Sequence, residues 1–137
     1  MADLVITAAN VALSSGSTGE ATAAATITAG QALALDSSGD AILASDATDA
    51  ATAACVGIAL HGASAGQPIK YANAGSINLG ATLSLGKVYV LSTSGGIAPV
   101  DDIASTEFIT VLGVATTTAL LKLSIIQSGV QAAAAVA

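Results

Sequence analysis

Hydrophobic and polar residues alternate with a period of two along most of the chain from about residue 22 onward. This alternation is typical of β-strands that bury one face. Residues 32–44 and residues 87–100 each combine it with a central break rich in Ser and Gly, which predicts two β-hairpins. Pro99 favours an edge position for the last strand of the second hairpin, because proline cannot donate a ladder hydrogen bond.

Further strands are expected outside the hairpins. Gly57 and Gly113 interrupt two of them, which indicates a bulge or a close approach of another backbone. Helix patterns are weak, because the Ala-rich stretches contain many Ser and Thr residues and lack capping residues. We therefore predict an all-β fold, with the additional strands at residues 53–60, 69–73, 76–83, 108–116 and 120–126.

An internal match relates two parts of the chain. A shift of 56 residues aligns residues 30–60 with residues 86–116 without a gap and gives seven identities, only one of which is an Ala pair. The match predicts two copies of one strand–hairpin–strand–strand unit, residues 19–74 and 75–129. We expect the copies to pair about a pseudo-two-fold axis in a compact β-barrel or sandwich. The aligned glycines are Gly30 with Gly86, Gly39 with Gly95, and Gly57 with Gly113.

The two ends of the chain differ from its middle. We predict an extended N-terminal arm at residues 1–18, a β domain at residues 19–130 and a C-terminal tail at residues 131–137. Residues 14–19 have the composition of a flexible linker. The arm holds one β-prone run that could add a strand to a partner's sheet. Its residues, Leu4, Val5, Ile6 and Thr7, are the predicted contact to a shell or to another subunit.

The composition argues against several classes of function. The chain has three Lys, no Arg and nine acidic residues, for a net charge of -6, so it can neutralise few phosphates of a nucleic acid. His61 and Cys55 have no second His or Cys with which to form a catalytic pair or a metal cluster. We therefore expect no enzymatic activity, no cofactor and no metal. Asp36 and Asp40 flank a turn and favour a structural role over calcium binding.

The apolar residues point to a soluble oligomer. Stretches rich in apolar residues are interrupted by Gly, Ser, Thr or Lys, so we expect no membrane-spanning helix. One Cys cannot form an intrachain disulfide, which fits synthesis in a reducing cytoplasm, and Cys55 is expected to be a small buried residue. Much of the 53% hydrophobic content is Ala, which gains little from burial. A thin core favours additional burial between subunits.

Several strings of the sequence resemble small bacteriophage head proteins, in particular capsid decoration or cement proteins. The resemblance covers about residues 25–130 and implies a compact β domain, usually a trimer, on the outer surface of the capsid. It also implies that a terminal arm contacts the shell or a neighbouring trimer. The strings are residues 56–60 (VGIAL), 65–69 (AGQPI), 78–83 (NLGATL), 86–91 (GKVYVL), 95–99 (GGIAP) and 111–115 (VLGVA).

The expected function is therefore that of a structural virion protein. Its expected partners are the major capsid protein and itself, as a homotrimer, with no nucleic acid and no membrane. The expected location is the capsid exterior, after synthesis in the host cytoplasm. An alternative is a tail, fibre or virion surface domain that binds host glycans, although Tyr71, Tyr89 and Phe108 are the only aromatic residues. A small hydrolase that uses His61 and Asp101 is the least favoured interpretation.

Overall fold

A computed structural model of the chain describes residues 4, 6–7, 10–44, 55–92, 95–99 and 108–131. Within these ranges the chain forms nine strands and no α-helix, which confirms the predicted all-β class. The strands are β1 (Ala12–Thr22), β2 (Ala32–Leu35), β3 (Ala41–Leu43), β4 (Gly57–Ala59), β5 (Pro68–Asn78), β6 (Val88–Leu91), β7 (Ile97–Pro99), β8 (Phe108–Ala115) and β9 (Leu120–Gln131).

The nine strands of the described residues belong to one antiparallel sheet that curls into a half-barrel. Its order is β3-β2-β4-β5-β9-β8-β6-β7, and β1 pairs with β5 outside this path. β5 is the central strand, since it pairs with β1 along its length, with β4 at residues 71–72 and with β9 at residues 75–78.

The two ends of the sheet are covered by other segments of the chain. At the β3 end, the Ala24 N–H donates a hydrogen bond to the Ala41 carbonyl over 2.8 Å. At the β7 end, the Leu4 N–H donates to the Ile97 carbonyl over 2.7 Å. The sequence predicted a compact β-barrel or sandwich, and the structure has a curled half-barrel whose two end strands are each paired with another segment of the chain.

Both predicted hairpins are present. β2 pairs with β3, and β6 pairs with β7. In the first turn, the Asp36 Oδ1 atom accepts hydrogen bonds from the N–H groups of Ser38 and Asp40, each over 2.9 Å. This geometry confirms a turn-forming role for Asp36. Pro99 lies in the last strand of the pairing order, as predicted.

The strand pairing repeats at an interval of 56 residues. Ala32 lies opposite Ile58 in the β2–β4 pair, and Val88 lies opposite Val114 in the β6–β8 pair. The hydrogen bonds around the preceding turns repeat as well. The N–H of Gly30 donates to the carbonyl of Ala59, and that of Gly86 donates to the carbonyl of Ala115, both over 2.8 Å.

Three sequence-based boundaries differ from the structure. Residues 14–19, predicted as a linker, lie inside β1 and pair with β5. The strands predicted at residues 69–73 and 76–83 are a single strand, β5, which continues through Gly75 at a φ of 101° beside a register shift. The boundary between the predicted repeats therefore falls within a strand. Residues 132–137 of the predicted tail lie outside the described residues.

The core consists of two clusters that lie on different faces of the first half of the sheet. Ala32 and Ile58 belong to the main cluster, whereas Leu33 and Ala59 belong to the smaller one. In the second half, Tyr89 and other residues on the same side of the sheet pack into the main cluster. The main cluster is rich in alanine, as expected, and contains Ala29, Ala32, Ala34, Ala44, Ala72 and Ala115.

Candidate interaction surfaces

The predicted contact residues at the N-terminus pack against the body of the same chain. Leu4 and Ile6 are half-buried against the main cluster, whereas Thr7 is exposed. In addition to the bond from Leu4 to β7, the Thr7 N–H donates to the Gly80 carbonyl over 2.9 Å. Val5 lies outside the described residues. Their contact to a partner stays a prediction, and within the chain they form a covering segment over the end of the sheet.

Two glycines make room for this N-terminal segment. Gly80 has a φ of 67°, and a Cβ atom there would collide with the Thr7 carbonyl oxygen. Gly30 has a φ of 90°, and a Cβ atom there would lie 2.6 Å from the Ile6 Cγ2 atom. Neither position accommodates a side chain, because the conformation is strained for L-residues and the space is occupied. These two glycines thus leave room for Ile6 and Thr7 against the body of the protein.

A polar depression lies beside the N-terminal segment. Its volume is about 560 Å³, and its lining presents side-chain amides and hydroxyls together with exposed backbone. The Asn78 Oδ1 atom is engaged locally, since it accepts a hydrogen bond from the Gly80 N–H over 2.8 Å. The lining consists of Thr7, Asn10, Asn78, Gly80, Ala81 and Thr82.

The β1–β5 pair forms a long ribbon with a polar surface. Residues 14–18 of β1 are exposed in succession, so neither face of this part of the strand is buried. Across the ribbon, the Ser17 Oγ atom donates to the Asn73 Oδ1 atom over 2.6 Å. The Lys70 Nζ atom lies 3.4 Å from a Glu20 carboxylate oxygen, but both side chains are exposed and the pair contributes little to stability.

An apolar surface lies on the second half of the sheet. Val88 lies directly opposite Val114, and Val111 lies directly opposite Ile126, so the members of each pair project on the same side. Leu85, in the turn before β6, and Ile126 are exposed by 70% and 59%, and the three valines are half-buried. Val90 lies opposite Val111 on the same side but is 0% exposed, so part of this side is covered. We call Leu85, Val88, Val111, Val114 and Ile126 the valine face.

Sequence reasoning did not find the valine face. Alternation shows that a strand has two different faces, but it does not show which face turns toward the common core. In the internal match, small residues of the first copy align with larger apolar residues of the second: Ala29 with Leu85, Ala32 with Val88, and Cys55 with Val111. This difference in size does not mark an exposed face, because Ala34 and its larger counterpart Val90 are both 0% exposed.

Cys55 and His61, the two residues whose side chains could most readily take part in catalysis, are engaged in structural contacts. Cys55 is buried, and its thiol donates to the Gly57 carbonyl over 3.4 Å. Burial raises the pKa of the Cys55 thiol to about 12. His61 is exposed, as predicted, and its Nε2 atom accepts a hydrogen bond from the Lys70 N–H over 3.1 Å. Its Nδ1–H then donates to the Gly62 carbonyl over 2.9 Å.

The other candidate residues are placed as follows. Tyr71 and Tyr89 are buried, and the Tyr89 hydroxyl oxygen accepts a hydrogen bond from the Ser84 N–H over 2.9 Å. Asp101 and the side chain of Phe108 lie outside the described residues. Across the described ranges, no three His, Cys, Asp or Glu residues are grouped so as to hold a metal ion. No helix in the same ranges is long and apolar enough to cross a membrane.

Comparison of the chain with protein families and with characterised proteins returned no match.

Proposed function

We propose that this protein is a structural virion component that binds the outer surface of a bacteriophage capsid as a homotrimer and stabilises the shell. The observation that carries the proposal is a combination of two features: an apolar sheet face on which Leu85 and Ile126 are exposed, and reactive side chains that are engaged in structural contacts. The residue-level resemblance to decoration proteins supplies the identity of the partner. The major capsid protein is that partner, and the protein acts on the virion exterior without enzymatic activity.

The contacts of the polar residues support a structural role. Asp36 organises a hairpin turn, His61 accepts a hydrogen bond from a strand N–H, and the thiol of Cys55 is protonated and buried. A catalytic site requires such groups to converge on a substrate position. Here each of the three contacts the backbone at a different place, and each stabilises the local structure.

The attachment of the N-terminal segment supports a role at the shell. Thr7 is the exposed member of the predicted contact, and it lies at the rim of the polar depression. Leu4 and Ile6 fix its position through their packing on the main cluster. A preorganised segment loses less conformational entropy on binding than a free arm does. Many copies bound to a symmetric lattice then gain strength through avidity.

The repeated pairing supports an origin of the domain by duplication. We propose that β2–β5 and β6–β9 are two copies of one four-stranded unit. Three repeated features support this: the strand bounds of the hairpins, the registers of the pairs, and the hydrogen bonds around Gly30 and Gly86. The copies differ in which face packs into the main cluster, so the β-domain is not a symmetric assembly of identical halves.

A reconstruction of the native particle tests the proposed function. We expect density for the β domain on the outside of the capsid at three-fold or quasi-three-fold positions. Purified protein added to bare shells should raise their melting temperature. If the protein neither adds to shells nor lies on their outer surface, the proposal is wrong.

A pair of variants tests the predicted contact. Thr7→Arg places a large cation at the exposed position of the N-terminal segment, so shell binding should weaken. Ser38→Arg is the matched control, because Ser38 is exposed in a hairpin turn and is not part of the predicted contact. Equal binding by the two variants would show that Thr7 does not contact the shell.

Binding of host glycans is the second candidate function, and the polar depression is the observation that favours it. The amides of Asn10 and Asn78 and the hydroxyl of Thr82 are suitable partners for sugar hydroxyls. The buried positions of Tyr71 and Tyr89 weigh against an aromatic platform. Adsorption of the isolated protein to host cells, lost in Thr82→Ala, would support this function over shell binding.

A further inference from the structure

One edge of β1 pairs with no strand of the described residues, and its other edge pairs with β5. In β5, Lys70 directs both backbone groups away from β1, since its carbonyl accepts the Leu60 N–H over 3.0 Å and its N–H donates to His61. Residues of an antiparallel pair alternate between exchanging two hydrogen bonds and exchanging none. Glu20, which lies directly opposite Lys70, therefore directs its N–H and C=O groups away from β5.

Thr18 shares this direction, because it lies opposite Ala72, which pairs with β4 on the far side of β5. Thr18 and Glu20 are both exposed, so no other segment of the chain covers them. β3 reaches the same edge only beyond the end of β1, where the Ala24 N–H donates to the Ala41 carbonyl over 2.8 Å. We call the unpaired backbone from Thr18 to Glu20 the open edge.

The surroundings of the open edge are acidic. The Glu20 side chain is 70% exposed, and its contact with Lys70 is a weak surface ion pair that another cation can replace. Asp40 directly precedes Ala41, and its N–H donates to the Asp36 carboxylate in the same turn. These three acidic residues are the only ones in the described ranges, and they lie on the open edge or in the turn next to it.

Charge argues against a second copy of the chain as the occupant. Two open edges paired with each other would bring two Glu20 side chains close together, and like charges on adjacent strands are destabilising. The net charge of -6 adds to this repulsion. An extended segment that carries Lys or Arg has neither disadvantage, because its backbone can pair with the open edge while its cations meet the carboxylates.

We propose that the open edge binds an extended basic segment of a partner protein, which joins the sheet as a further strand beside β1. Backbone hydrogen bonds to Thr18 and Glu20 provide affinity, and the carboxylates select basic side chains. In the proposed function this segment belongs to the major capsid protein, and to that extent the inference rests on that function.

Titration of the full chain with a synthetic peptide tests the inference. The probe is a capped peptide of alternating Thr and Lys residues, and the control peptide has Glu in place of Lys. The basic peptide should shift the amide signals of Thr18 and Glu20 and slow their hydrogen exchange, because both N–H groups gain an acceptor. The acidic peptide should do neither. No shift with the basic peptide, or equal shifts with both peptides, overturns the inference.

Two variants separate the backbone contribution from the charge contribution. Thr18→Pro removes an N–H that points to the open edge, a position at which an edge strand accepts proline. Glu20→Lys reverses the charge at an exposed side chain. Each should weaken binding of the basic peptide by about tenfold, the scale of one hydrogen bond to a charged or backbone group.

Thr118→Lys is the matched control, because Thr118 is exposed in the turn before β9 and lies outside the open edge. It should bind the basic peptide as wild type does. Circular dichroism checks that each variant keeps the β signal, and if Thr18→Pro loses that signal, Glu20→Lys decides the test. Unchanged binding by Glu20→Lys overturns the inferred selection for basic segments.

The outcomes separate this inference from the proposed function. If the basic peptide binds at the open edge and no shell is bound, the inference stands and the decoration function is wrong. If shells are bound equally by wild type and Glu20→Lys, and the peptide is not bound, the function stands and the inference is wrong. Slower exchange at Thr18 and Glu20 as the protein concentration rises, without peptide, would show that a second copy occupies the edge and also overturns the inference.

Discussion

Corresponding residues of the two copies are not always buried to the same extent. Cys55 and Val111 occupy corresponding positions in the internal match, yet Cys55 is 1% exposed and Val111 is half-buried. The smaller side chain lies in the alanine-rich main cluster, where neighbouring strands pack closely. The larger one lies on the valine face. A larger side chain is not by itself a sign of exposure, because Ala34 and its larger counterpart Val90 are both 0% exposed.

The thiol of Cys55 makes folding sensitive to alkaline pH. Its pKa is raised from 9.0 to about 12 by burial, so the unfolded chain loses this proton first as the pH rises. The contribution of the buried thiol to the free energy of unfolding is therefore fully present below pH 9. It is lost as the pH rises toward 12. Within this window the free energy of unfolding should fall by about 1.4 kcal/mol per pH unit from this group.

Urea unfolding of wild type and Cys55→Ala at several alkaline pH values measures this contribution. The two proteins share every other side chain, so the difference between their free energies of unfolding isolates the thiol. The difference should be constant below pH 9 and should change steadily above it. A difference that does not depend on pH would contradict the expected ionisation of the unfolded thiol.

At the scale of elements, the sequence predicts strands that have one buried face. The two hairpins were found because alternating apolar residues flank turns rich in Ser and Gly. β1 was missed because residues 14–18 are exposed on both faces, so burial imposes no alternation on them. β5 was split because Ala74 and Gly75 interrupt the apolar pattern, while the backbone continues through a positive φ.

Gly75, like Gly16 on the opposite strand, has no room for a side chain in the β1–β5 ribbon. Its φ is 101°, and a Cβ atom would collide with the Ser15 carbonyl oxygen. Gly39 has a similar φ of 84°, but its Cβ would meet no atom within 4 Å. Gly39→Ala should therefore cost about 1–2 kcal/mol from backbone strain alone, and Gly75→Ala should cost more.

Denaturant unfolding of both variants compares these costs. The difference between the two losses in free energy of unfolding measures the close contact between β1 and β5, because both substitutions introduce backbone strain. Register in the ribbon can be followed through the amide signals of Ser15 and Gly16. If the two variants lose equal stability, the close approach of β1 and β5 is not maintained in solution.

At the scale of the whole molecule, the two halves depend on each other. The main cluster contains Ile58 from the first half and Leu112 and Leu121 from the second. The two halves pack opposite faces into this cluster. Leu33 of the first half lies in the smaller cluster, whereas its counterpart in the second half, Tyr89, lies in the main cluster. Period-two alternation is the same for both faces, so the sequence could not predict this arrangement or the valine face that results from it.

Separate fragments of the chain should therefore not fold. A cut after Ala81 yields residues 1–81 and 82–137, and it separates β5 from its partner β9. Each fragment alone should lack a cooperative unfolding transition, because its share of the main cluster is exposed to water. Mixing the two should restore the β signal in circular dichroism. A cooperative transition in either fragment alone would show that one half folds independently.

The hydrogen bond from Leu4 to Ile97 also has a consequence for the order of synthesis. The ribosome makes the donor well before the acceptor on β7, which follows it by more than 90 residues. During that interval the apolar side chains of Leu4 and Ile6 have no completed surface on which to pack, and they are available to chaperones or to neighbouring nascent chains. The segment that covers the end of the sheet in the finished molecule is thus among the last to reach its place.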